Sequence, residues 1–194
     1  MATIEQTHTP ILNSNAQVLI LPVNSAGVLL DPVLTRCKTL YPDNYQRYHR
    51  ACRDGSLMVG SCLLHKRQRE LAGLSAAHNG NQPNYIANLV ISDHPYHSAR
   101  TRWLTAALID LQQQLMPLIR YQGVRKAALL ARPLLASSSA NRTEPNRTGL
   151  TTETTALPLD WHSVVLPLIN QHLQALPKLR IDIHLPKGIA LIQP

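Results

Sequence analysis

The sequence predicts an α/β domain built around a mostly parallel sheet, and three observations carry that expectation. Ala16–Val23 is a short, nearly continuous apolar run, the form taken by a strand buried on both faces of a parallel sheet. Further on, apolar residues at three- and four-residue intervals mark a long helix that leads straight into a second apolar run, Val124–Ala131, so strand, helix and strand form a βαβ unit with a right-handed crossover. A long Ser/Thr/Asn-rich connection, residues 132–156, then leaves the carboxyl end of that strand, where open α/β sheets place their ligands.

Each element follows from local chemistry. After the strand at Ala16–Val23, Asn24-Ser25-Ala26-Gly27 is a polar, small-residue turn, and Asp31-Pro32 sets a capping residue before a proline suited to the first helical position. Tyr41-Pro42-Asp43-Asn44 reads as a turn with a possible N-cap, followed by a short helix from Tyr45 to Arg53 that stops at Asp54-Gly55. Leu57–His65 is a strand candidate, residues 66–84 a mobile loop, and Tyr85–Ile91 the next strand. From Ser98, Trp103, Leu104, Ala107, Leu108, Leu111, Leu115, Leu118 and Ile119 recur at helical spacing through Tyr121, with Gly123 as the stop. Leu159-Asp160-Trp161 opens a last helix to about Leu176, and Leu179–Leu185 closes the fold as a strand.

The bulk properties bound the function. A chain of 194 residues with 44% apolar and 15% charged residues suits a single globular domain over 1–194, with loops at 66–84 and 135–156 read as mobile. A formal charge of +8 and a pI near 9.8 favour phosphate-bearing partners. The basic residues are scattered, with no run longer than two, so the charge reads first as a solubility feature. Three cysteines, Cys37, Cys52 and Cys62, without CxxC spacing indicate neither a disulfide framework nor a zinc site and fit a reducing cytoplasm. No export signal and no run of about 18 apolar residues is present, so no membrane partner is expected. For the same reason the glycosylation pattern at Asn141-Arg142-Thr143 and Asn146-Arg147-Thr148 carries no meaning.

Taken as a series, Val23-Asn24-Ser25-Ala26-Gly27-Val28, Tyr41-Pro42-Asp43-Asn44-Tyr45, and Gly55 and Gly60 resemble the first third of a macro domain, the ADP-ribose-binding fold. The likeness is to the branch that includes DNA ADP-ribosyl glycohydrolase antitoxins, which reads approximately N-T-V-N-x-x-G-V-M-G-K-G, a helix, F-P-x-N-Y and a helix. Ile86-Ala87-Asn88-Leu89 is similar to its I-I-N-F strand, Ala131-Arg132-Pro133-Leu134 to the P-P-L before the phosphate loop, and Leu159-Asp160-Trp161 to the G-L-D-W of the last helix. The resemblance spans almost the whole chain in order and spacing. It implies a three-layer α/β/α domain with a mixed, mostly parallel central sheet that binds ADP-ribose or a related nucleotide, on DNA or protein.

The departures fall on the ligand motifs. The family's G-K-G is Leu30-Asp31-Pro32; proline removes a backbone donor and aspartate places negative charge where a diphosphate would pass. Its second glycine loop is Leu135-Ala136-Ser137-Ser138-Ser139-Ala140, which loses the geometry that glycine permits. The first asparagine of N-T-V-N is Leu21, and Asn24 retains the second, which in the family orients the distal ribose. The resembling hydrolases' lysine aligns with Ser92, and their acidic residue before the first strand has no counterpart in Pro10–Asn13.

The resemblance therefore implies ligand contact at Asn24, Ser25, Ala26, Gly27, Val28, Asp31, Ser92, Pro133, Leu134, Ser137, Ser138 and Ser139, with Asn24 the catalytic candidate. Asn24 has an equally simple reading as an Asx-turn residue. Asp93, His94 and His97 offer acid–base chemistry near neutral pH, although loop histidines are more often merely exposed. No cofactor and no metal are expected. The function so read is an ADP-ribose-binding domain with catalysis in doubt; the alternatives are an active ADP-ribosyl glycohydrolase on modified DNA or protein, and a non-enzymatic protein-interaction module.

Overall fold

The computed structural model describes residues 1–67, 82–135 and 159–191. Along these the chain forms β1 (Thr3–Thr7), a 3-10 turn at Ile11–Asn13, β2 (Val18–Asn24), α1 (Pro32–Leu40), α2 (Pro42–Arg53), β3 (Cys62–Lys66) and β4 (Tyr85–Ser92). Then come α3 (Thr101–Tyr121), β5 (Lys126–Leu130), α4 (Arg132–Leu135), a π-helical turn at Trp161–Val165, α5 (Leu166–Leu173) and β6 (Arg180–His184).

The described strands make one six-stranded sheet in the order β1-β6-β5-β2-β4-β3. All neighbours are parallel except β3, which runs antiparallel to β4 at one edge. All seven residues of β2 are buried, because the sheet is covered on both faces. Val18 and Ile20 pack with Ala87, Leu89, Leu104, Leu108 and Leu111 on the α3 side, whereas Leu19, Leu21 and Val23 pack with Leu34, Cys37 and Tyr48 on the α1 and α2 side. This alternation along one strand is the period-two pattern of a pleated ribbon, and with helices on either side it gives the expected α/β/α layering.

Several sequence expectations are corrected. β1 was not anticipated: Thr-Ile-Glu-Gln-Thr has no apolar alternation, and it joins the sheet only by pairing with β6 at the far end of the chain. The candidate strand Leu57–His65 shrinks to Cys62–Lys66, since Ser61 N–H bonds back to Met58 O and Gly60 sits at φ +86°, a turn geometry that no strand tolerates. The region 66–84 therefore opens with a strand residue, Lys66, and Arg67 N–H still bonds to Asn84 O. The turn expected at Tyr41–Asn44 is helical from Pro42, a proline at the first helical position, so Asp43 and Asn44 lie inside α2.

The last helix is divided. Asp160 accepts the Ser163 N–H at 2.7 Å and caps a π turn, and α5 begins only at Leu166-Pro167, where proline brings no N–H to an i→i−4 ladder. The long connection 132–156 starts with α4; the remainder of the expected loops, 68–81 and 136–156, lies outside the described residues, as do Arg142 and Arg147.

Candidate functional site

Because β5, β2 and β4 are parallel neighbours, the connections leaving their carboxyl ends stand side by side at one end of the sheet. Between them lies a cleft of about 490 Å³. Its lining includes Asn24 and Val28 after β2, Leu30, Asp31 and Pro32 at the start of α1, Ser92, Pro95, Tyr96 and His97 after β4, and Arg132 and Pro133 after β5.

The β2 turn is pinned by Asn24. Its Nδ2 donates to Val28 O at 2.6 Å and its Oδ1 accepts the Val28 N–H at 3.4 Å, while its backbone carbonyl takes the buried Tyr48 hydroxyl at 2.6 Å. Gly27, inside that turn, holds φ +76°, and a Cβ there would come within 3.3 Å of Cys52 and His49, so glycine is required twice over. Ser25 N–H bonds to Ser92 O at 3.0 Å and Ser25 Oγ donates to Asp93 O at 3.4 Å. A register shift makes this possible: Val23 pairs with Val90 but Asn24 with Ser92, leaving Ile91 as the extra residue of a bulge.

On one side of the turn, Asp31 Oδ1 accepts the N–H groups of Val33 at 2.8 Å and Leu34 at 3.3 Å, capping α1. Its other oxygen, Oδ2, faces Arg132 Nε at 3.1 Å, so the negative charge read from the sequence as a barrier to phosphate is met by a cation. On the other side, His97 Nδ1 is 2.9 Å from Asp93 Oδ1, and the His94 ring lies 5.1 Å from that of His97 and 5.4 Å from that of Tyr96. The hydrogen bond from His97 holds the Asp93 carboxyl below the usual carboxylate range.

The expected ligand residues separate accordingly. Asn24, Val28, Asp31, Ser92 and Pro133 line the cleft. Ser25, Ala26 and Gly27 form the turn behind it, with Ala26 exposed and Gly27 buried. Leu134 is corrected: it is packed in the α3-side core and does not line the cleft, because a four-residue helix turns its apolar side inward. Ser137, Ser138 and Ser139 lie outside the described residues. Sequence reasoning did not single out Arg132; its signal was a charged residue standing in a stretch otherwise similar to P-P-L.

Burial favours the neutral thiol at all three cysteines. Burial pushes Cys37 up to about 12, with the Asp31 charge adding to it, and burial likewise raises Cys52 and Cys62. No helix among the described residues is long and apolar enough to cross a membrane.

The doubly covered, mostly parallel sheet with a cleft at the carboxyl ends of its central strands is the fold of a macro domain. It is similar to the DarG macrodomains. The macrodomain of Thermus aquaticus DarG superposes with a TM-score of 0.68 at 25% identity, over 96% of this chain and all of that one (100%). The macrodomain of Mycobacterium tuberculosis DarG gives 0.67 at 20% identity over 96% and 100% of the two chains. Thermosipho africanus DarTG in complex with ADP-ribose gives 0.69 at 19% identity, over 98% of this chain and 43% of that one. Among curated proteins, a DNA ADP-ribosyl glycohydrolase of Thermus aquaticus is 30% identical over 128 residues, 66% of this chain. The match takes in 31% of that protein's length. No family model matches the chain.

Proposed function

We propose that this macro domain binds ADP-ribose or a related nucleotide in the cleft beside Asn24, free or carried on modified DNA or protein. The observation that carries the reading is the cleft itself: about 490 Å³, at the carboxyl ends of β5, β2 and β4, with Arg132 as a cation on its wall. That volume falls within the range that small-molecule sites use, roughly 300–1,000 Å³. A bidentate guanidinium is suited to phosphate, and here it takes over a task for which glycine turns offer backbone N–H groups. The proposed contacts among the described residues are Asn24, Val28, Asp31, Ser92 and Pro133, with Ser25, Ala26 and Gly27 shaping the turn; Ser137 to Ser139 complete the proposed set. The +8 charge suits a substrate that is itself a polyanion.

We read residues 1–194 as one such domain, working in the cytoplasm, where the free Cys37, Cys52 and Cys62 stay reduced.

Calorimetric titration with ADP-ribose, using AMP and NAD as comparison ligands, tests the reading. Micromolar binding selective for ADP-ribose is expected. Failure to bind any of the three removes the reading and moves the search to the protein-interaction alternative.

A further inference from the structure

We propose that His97, held by Asp93, is the proton-transfer residue of this cleft and acts on the glycosidic bond of an ADP-ribosylated substrate. The inference rests on the ligand reading above and adds an activity to it.

The loop that carries the pair is cross-linked by hydrogen bonds. Ser25 Oγ ties the Asp93 carbonyl to the β2 turn, His97 N–H bonds to His94 O at 3.1 Å, and Tyr96 N–H donates to His94 Nδ1 at 3.4 Å. His97 is thereby brought into the lining of the cleft, on the side served by β4, while Arg132 enters from the side served by β5. A ligand lying across the end of β2 meets a phosphate-binding cation at one side and an imidazole at the other.

The tautomer follows from the partner. An ionised carboxylate only accepts, so the proton shared at 2.9 Å belongs to His97 Nδ1, and Nε2 of the neutral ring carries the lone pair. No hydrogen-bond partner of Nε2 is found among the described residues. Asp93 and His97 stand one and five residues beyond Ser92, which lines the same cleft.

The step balances without a cofactor. Nε2 takes a proton from a water molecule as the water oxygen bonds to the anomeric carbon of the distal ribose. The bond from that carbon to the base or side-chain atom breaks, with its electron pair leaving on that atom, and the imidazolium returns the proton to it. Free ADP-ribose and the unmodified acceptor are the products, and His97 is regenerated. Asp93 touches no reacting atom; it is a positioning residue that fixes the ring and its tautomer.

The test uses the full chain, a single-stranded DNA oligonucleotide ADP-ribosylated on a base and an ADP-ribosylated protein, with release of free ADP-ribose as one readout and calorimetric ADP-ribose binding as the other. The wild type should release ADP-ribose from at least one substrate. His97→Gln and His97→Ala should lower kcat on the order of 100-fold, the scale of a lost proton-transfer group, while binding stays within about threefold. His97→Gly should regain part of its rate with added imidazole, and Asp93→Asn should lower kcat with KM unchanged. A wild type that binds ADP-ribose yet releases none from either substrate overturns the inference alone, as does His97→Gln at full rate. A wild type that binds no ADP-ribose overturns the ligand reading and this inference together.

Discussion

Arg132 Nε lies 3.1 Å from Asp31 Oδ2, an ion pair that joins the start of α1 to the start of α4 on the wall of the cleft. Neither residue is tied to the other by local structure, and the Arg132 side chain is half exposed, so in solvent the pair adds little to stability. Its consequence under the proposed function is for binding: an incoming phosphate would compete with Asp31 for the same guanidinium.

Two substitutions should then move affinity in opposite directions. Arg132→Ala removes a charge-assisted contact and should weaken ADP-ribose binding by about 10- to 100-fold, given about 1.5–3 kcal/mol for a hydrogen bond to a charged group. Asp31→Asn keeps an N-capping side chain but frees the arginine, and should tighten binding several-fold. Titration at low and at 0.5 M salt supplies the control, because affinity that rests on Arg132 falls as salt rises. Equal affinity in all three proteins would dismiss Arg132 as the anion contact.

Asn24→Ala should act first on the fold. Its amide makes both bonds that close the Asn24–Val28 turn, so truncation leaves Val28 O and N–H to find water and should cost about 1–3 kcal/mol in urea unfolding. Loss of ligand binding in this variant is interpretable only beside that measurement. Unchanged stability with lost binding would return Asn24 to the role of a ligand contact and deny its role as a staple.

Much of this was legible in the sequence because it is written in local chemistry. Val18–Val23 shows as a strand since two covered faces leave no polar position, and Asp31-Pro32 announces α1 since the cap and the proline act on the first turn alone. The rest depends on partners distant in the chain. β1 shows no strand pattern until β6 pairs with it, and Leu57-Met58-Val59 looks like a strand until Gly60 turns away at φ +86°. Arg132 had no evident role before folding set it against Asp31, and Asp31 read as a repulsive charge for the same reason.

Asn44 and Asn88 make a second pair that the sequence pattern does not reveal. Asn88 of β4 donates through Nδ2 to Asn44 Oδ1 at 2.8 Å, and Asn44 of α2 returns a bond to Asn88 Oδ1 at 3.3 Å. Both residues are buried, so neither amide has water as an alternative. Asn88→Leu leaves the Asn44 amide without its partner and should destabilise by about 2–4 kcal/mol. The double substitution Asn44→Leu with Asn88→Leu should recover part of that loss, a coupling that a double-mutant cycle measures directly. Strict additivity of the two single effects would show that the amides do not interact.

Stability should also fall in mild acid, and His184 sets where the fall begins. Burial lowers its pKa, an effect only partly offset by the bond from Nδ1 to Thr9 O at 2.7 Å and by the Asp182 charge, and reinforced by Lys126. The folded state therefore binds fewer protons at this ring than the unfolded chain does, and the unfolding free energy drops as pH falls. The contribution is whole above the ordinary histidine value of about 6.5 and is lost as pH descends through the folded value. Asp43 and Asp182 act in the same direction but lower on the scale. Burial alone would raise them, yet His65 and the Asn44 N–H hold Asp43 down, and Arg180 and Lys126 hold Asp182 down, so their stabilisation disappears only below the usual carboxylate range. Thermal unfolding followed from pH 7.5 to 4.5 should show a declining Tm in the wild type and a flatter profile in His184→Asn, whose amide nitrogen stands where Nδ1 does but takes up no proton. Parallel profiles for the two proteins would remove His184 as the source of the decline.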